Sequence, residues 1–148
     1  MRFVFILTMA ALISVPPAFA ANSKDLDSQQ IAALATKAEQ ATPKERCYLY
    51  AKVVSAMTDL AGRQMNDGSP SDVASSLKAI QHYASKIRTD LTDHSRKLKD
   101  AQIMMRRTAF RLKELMRGGP LGEQPDFEAT LNQVNQTQSQ MMLAVFQK

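Results

Sequence analysis

The sequence predicts an all-α protein: a long-helix coiled coil or helical bundle, with a central helix of about 45 residues and shorter helices antiparallel to it. Three observations predict it. From Val73 to Leu115 the chain steps by alternating fours and threes: Val73, Leu77, Ile80, Ala84, Ile87, Leu91, His94, Leu98, Ala101, Met105, Thr108, Leu112 and Leu115. Only His94 and Thr108 in that series are polar, and a mean step of about 3.5 residues keeps a narrow apolar seam turned toward a partner helix. Two helix-start signals, Thr42-Pro43-Lys44-Glu45 and Ser69-Pro70-Ser71-Asp72, cut the chain before the seam. Each offers a capping hydroxyl, a proline where a missing N–H does no harm, and an acid in the first turn. Finally, no Pro or Gly interrupts the chain between Pro70 and Gly118.

The first twenty residues read as an address. Met1-Arg2 is basic, Phe3 to Val15 is almost wholly apolar, Pro16-Pro17 breaks any helix, and Ala18-Phe19-Ala20 offers small residues to a signal peptidase. This layout predicts a signal peptide cleaved after Ala20 and an exported protein, periplasmic or secreted. The apolar run is short against the roughly 20 residues a membrane span needs. Residues 21–148 then form a single α-helical domain.

Leu26, Ile31, Leu34, Ala35 and Ala38 predict a thin amphipathic helix over about 24–40. Over 43–66, Cys47, Tyr50, Val54, Met57 and Ala61 share one face, and Leu49, Val53 and Leu60 widen it. So broad a stripe predicts contact with two neighbours. Gly68 suits the left-handed position that ends this helix. The seam helix is predicted over 70–117. Thr89 to Ser95 is its only stretch of poor helix formers, and each costs only tenths of a kcal/mol, so the reading favours a continuous helix. After a loop at Gly118–Pro125, Phe127, Leu131, Val134, Gln138, Met141 and Val145 predict a last helix over 126–146. Half-length helices would each cover half of the long one. Apolar surface left open would then demand a homodimer, or a bend near Thr92–Ser95 that closes a compact bundle.

The catalytic inventory is thin: two histidines, one cysteine, no nucleophile elbow, no metalloprotease motif and no phosphate loop. The expectation is therefore a non-enzyme with no cofactor. Met104-Met105 and Met141-Met142 invite a copper reading, but adjacent helical residues diverge by about 100° and cannot chelate as a pair. Cys47 is a candidate intermolecular thiol, set against burial as a small apolar residue. His94 occupies a seam position, where an imidazole would pin the register or sense acid.

Charge is uneven. Ten basic residues against four acids lie between Lys86 and Arg117, although the seam itself carries none of them. His94, Arg96, Lys97, Lys99, Arg106, Arg107, Arg111 and Lys113 are the candidate interaction residues. Export argues against nucleic acid as the partner. An anionic envelope polymer or membrane surface, a second copy, or another helical protein fits better. Three functions follow: an exported interaction or self-assembly module working through coiled-coil seams; a periplasmic holdase gripping unfolded or acidic clients; or a small-ligand or metal sensor using His94 and the methionines.

Overall fold

Asp27 caps the first helix in the computed structural model, which describes residues 26–92 and 94–147. The proposed signal peptide lies outside the described residues. Helix α1 (Ser28–Gln40) begins with a reciprocal capping box. Asp27 Oδ1 accepts from the Gln30 N–H at 2.8 Å and Gln30 Oε1 accepts from the Asp27 N–H at 3.0 Å, so two otherwise orphaned donors are satisfied. Helix α2 (Pro43–Asn66) has the predicted bounds, but not the predicted cap. Thr42 turns its hydroxyl to Glu45 Oε2 at 3.3 Å, and Pro43 supplies the start. Gly68 closes the helix at φ +70°, a conformation that costs a residue with a Cβ about 1–2 kcal/mol.

The seam does not form one helix. It forms α3 (Pro70–Asp90) and α4 (Leu98–Gly118), joined by a turn over 91–97. A single 3-10 turn, Leu121–Glu123, leads into α5 (Gln124–Phe146), and the described residues contain no strand. The break falls in the weak stretch. Ser95 N–H donates to Thr92 O at 3.2 Å, and Arg96 N–H leaves the helix ladder to donate to Lys44 O at 2.7 Å. Lys97 sits in the left-handed region at φ 51° and opens α4. Tertiary packing explains why breaking wins. Poor propensity costs tenths of a kcal/mol per residue, whereas each large apolar side chain buried contributes about 1.5–3 kcal/mol. Folding α4 back lets both halves of the seam face neighbours in the same chain.

Four helices form a ring in the order α2, α3, α5, α4. Helices α2 and α3 run antiparallel: Ser76 Oγ, early in α3, donates to Gln64 Oε1, late in α2, at 2.7 Å. At the other end Cys47 meets Ile87. Helices α3 and α5 are parallel, since Gln81 Nε2 donates to Thr130 Oγ1 at 2.8 Å and, two turns on, Arg88 Nη1 donates to Thr137 Oγ1 at 3.1 Å. Helices α2 and α4 are parallel as well, tied by the Arg96–Lys44 bond near their starts and by Gly62 against Leu115 near their ends. A Cβ on Gly62 would stand 3.3 Å from Leu115 Cδ2, so the bare glycine sets how closely these two helices approach.

The ring encloses one core. Tyr50, Val54, Leu77, Ile80, Ile87, Met105, Leu112, Phe127, Val134 and Met141 meet inside it. Thr108 and Thr137, polar residues in those seams, return their hydroxyls to carbonyls one turn back, Met104 O at 3.0 Å and Gln133 O at 2.9 Å. That bond lets a hydroxyl be buried without an orphaned donor. Outside the ring α1 lies on α2, with Ile31 and Ala35 against Val53 and Ala56. The pivot of the molecule is thus α2, which packs against α1, α3 and α4, one neighbour more than its stripe predicted. No described helix is long and apolar enough to cross a membrane.

Candidate interaction surface

Cys47 is fully buried and unpaired. Its Sγ lies 3.8 Å from Ile87 O and 3.8 Å from Ser95 Oγ, and Ser95 donates to it. Burial pushes the thiol pKa up, against a smaller lowering by Ser95. The sulfur is thus enclosed by α2 and the 91–97 turn, the buried small-apolar environment set against an intermolecular thiol.

His94 is corrected. It lies in the turn and is exposed, and Ser95 takes the buried place beside it. The sensor reading required an imidazole held inside a dry seam, and that premise is gone. Gln138 lines a hollow with Arg106 and Lys113. Met105 and Met141 are buried in the core, and the described residues hold no group of three or more His, Cys, Asp or Glu able to bind a metal ion.

The basic residues divide into two sets. Of those near α1–α3, Lys37, Lys44 and Lys78 are exposed, and Lys86, Arg46, Arg96, Arg88 and Lys97 are engaged. Lys86 Nζ pairs with Glu39 at 2.8 Å, Arg46 with Asp90 at 4.0 Å and Arg96 with Glu45 at 3.6 Å. Arg88 donates to Gln133 O and Thr137, and Lys97 stands 4.8 Å over the Tyr48 ring. On α4, Arg111 pairs with Glu114 at 3.6 Å. Lys99, Arg106, Arg107, Lys113 and Arg117 are exposed and make no ion pair with a described residue.

Helical spacing arranges the second set. Lys99, Ile103, Arg106, Phe110, Lys113 and Arg117 step by fours and threes along α4, each one or two residues after a position of the core seam, so they share one outward stripe. Every one of them is exposed, Ile103 at 38% and Phe110 at 66%. Ile103, Arg106, Arg107 and Phe110 rim a shallow hollow of about 400 Å³ whose walls come from α4 alone. A second hollow of about 280 Å³ separates Arg106, Phe110 and Lys113 from Leu131, Asn135 and Gln138 of α5. The acids of that neighbour, Asp126 and Glu128, lie at its start, and residues 129–147 include no Asp, Glu, Lys or Arg. One turn beyond Gln138, α5 ends on exposed Met142, Leu143 and Phe146. The α4–α5 side therefore combines unneutralised cations with large exposed apolar groups.

A cleft of about 460 Å³ between α2 and α4 has a different character. Arg63, Arg107 and Arg111 line it, but so does the Asp59 carboxylate. Arg63 also donates to Leu26 O, and Arg111 is held by Glu114.

Sequence reasoning named the cations and missed the apolar groups between them. The available signal was the off-seam pair Ile103 and Phe110, seven residues apart and flanked by Arg106 and Arg107. Comparison with family models, curated proteins and solved structures finds no match for this chain.

Proposed function

We propose that this chain is an exported, non-enzymatic helical module that works by docking, and that its working surface is the outward stripe of α4 with the adjoining end of α5. The observation that carries this reading is Phe110, 66% exposed among Lys99, Arg106, Arg107 and Lys113, which outnumber Asp100 and Glu114 on the same helix and lie beside a helix uncharged from 129 to 147. Exposed aromatic surface of this kind is retained where it meets something. Excess cationic charge on the same surface selects an anionic partner and steers its approach.

The seam itself no longer serves as the assembly surface in this reading, because Val73, Leu77, Ile80, Leu98, Met105 and Leu112 are consumed inside the chain's own ring. The holdase alternative draws on the same side, with Met142, Leu143 and Phe146 as its apolar grip. Salt separates the two. Docking through the cationic stripe weakens steeply as ionic strength rises, whereas an apolar grip on unfolded chains does not.

Soluble poly-glutamate is a sufficient probe for the charge. The native chain should bind it at low salt, and Arg106→Glu with Lys113→Glu should abolish that binding while the circular dichroism spectrum stays unchanged. Retained binding in the double variant would overturn the reading.

A further inference from the structure

We infer that the anionic surface this stripe meets is a lipid bilayer, with Phe110 and Ile103 entering the interfacial layer and Lys99, Arg106, Arg107 and Lys113 lying on phosphate headgroups. The inference rests on the docking reading above and names its partner class.

Shape is the first argument. The hollow beside Phe110 has no opposing wall, because all four residues rimming it belong to one helix. The apolar groups stand apart along the stripe, Ile103 and Phe110 about 10 Å from each other at 1.5 Å rise per residue. A protein partner of ordinary size needs a continuous complementary patch of roughly 800 Å². A bilayer interface needs no such patch, since it closes around each inserted side chain separately. Lysine and arginine stems then lie along the acyl boundary with their charged ends in the headgroups.

Charge is the second. Lys99, Arg106, Arg107, Lys113 and Arg117 outnumber the flanking Asp100 and Glu114, the latter paired with Arg111, so two copies of this face carry the same net sign and repel each other, which disfavours a second chain as occupant. The face complements a surface of uniform negative sign, and basic groups held near such a surface each strengthen attachment about five-fold. The neighbouring helix agrees with this. Residues 129–147 are uncharged and finish on Met142, Leu143 and Phe146, so that part of α5 can lie beside α4 at the interface without a charged group to desolvate.

The test uses the full chain, which contains no tryptophan. Phe110→Trp therefore installs the only indole, at an exposed position where the larger ring displaces no core residue. In buffer its emission should be that of a water-exposed indole. Phosphatidylglycerol–phosphatidylcholine vesicles should shift it to the blue, added salt should reverse the shift, and pure phosphatidylcholine vesicles should leave it unmoved. Adding Arg106→Glu and Lys113→Glu in that background should weaken vesicle binding more than about twenty-fold. Phe146→Trp, made separately, should also shift if the end of α5 enters the interface.

Emission already blue in buffer would mean that residues 1–25 or a second copy cover the face, and would overturn the inference. An equal shift on phosphatidylcholine alone would overturn the headgroup role of the cations. Binding to poly-glutamate with no shift on phosphatidylglycerol vesicles would overturn the bilayer while leaving the docking reading intact. Loss of both would remove both.

Discussion

Two phenylalanines divide the molecule. Phe127, on the inner face of α5, is fully buried. Phe110, on the outer face of α4, is mostly exposed. The contrast extends to everything around them. Near α1–α3 several cations have partners, since Glu39 holds Lys86, Asp90 holds Arg46, and Tyr48 lies under Lys97, while Lys37, Lys44 and Lys78 are exposed. On α4 the cations of the stripe have none among the described residues, and α5 answers them with amides. A fold can match its charges internally or leave them for something outside, and this chain does one on each side. The side that leaves them unmatched also exposes its large apolar groups, and that coincidence locates the working surface.

The sharpest way to break the comparison is to truncate each ring. Phe127→Ala removes a side chain from the closed core, where truncation costs about 3–5 kcal/mol, and urea unfolding should show a loss of that size. Phe110→Ala should change stability by less than about 0.5 kcal/mol, as exposed substitutions do, yet remove vesicle attachment. A comparable loss of stability at both positions would mean that Phe110 is packed and that the two sides do not differ.

The sequence announces most of this architecture where the signal is local. Pro43 and Gly68 place both ends of α2 within the chain's own chemistry, whereas the apolar pattern that predicts a helix over about 24–40 passes over the Asp27–Gln30 capping box that starts α1 at Ser28. The break between α3 and α4 is hidden for a specific reason. From Leu91 to Leu98 is seven residues, one whole period of the seam, so a turn of that length passes through the pattern without a slip. The same period made His94 look internal. What decides between a continuous helix and a turn is whether α4 gains more by folding back on α2, and that depends on Gly62 facing Leu115, a contact between residues 53 positions apart. The unmatched stripe was half legible: its cations are countable in the sequence, but the absence of partners is a property of which helix lies alongside.

The turn itself gives the next test. Ser95 Oγ accepts from the Thr92 N–H at 3.3 Å and donates to Cys47 Sγ, so one hydroxyl ties the α3–α4 turn to α2. Removing a buried hydrogen-bonding partner costs about 1 kcal/mol net, and Ser95→Ala should lower stability by that amount. It should also push the Cys47 pKa further up, because Ser95 is a group that lowers it. Since a raised thiol pKa stabilises the fold below the unfolded pKa of about 8.5 and is lost as pH rises through the folded value, both chains should begin to lose stability near the same pH, and the variant's decline should continue to a higher pH than the native chain's. A thiol that reacts at the unfolded rate in the native protein would contradict the enclosed site.

The smallest effect belongs to the best-matched charges. The hydrogen bond and charge of Lys86 hold the Glu39 carboxyl below its ordinary pKa, and the same bond raises Lys86. A depressed carboxyl contributes stability above its unfolded pKa of about 4.3, and that contribution disappears as pH falls through the folded value. A raised amine contributes below its unfolded pKa of about 10.4 and loses it as pH climbs through the folded one. Glu39→Gln should therefore melt slightly below the native chain near neutrality and together with it at about pH 3, where the native carboxyl is protonated too. The gap should be small, because both groups face water and salt screens them. Arg106→Gln offers the control from the other side of the molecule. With no carboxylate paired to Arg106, its melting difference from the native chain should not respond to the same acid titration. A response there would mean that the stripe on α4 has found an internal partner, and the distinction between the two sides would fail.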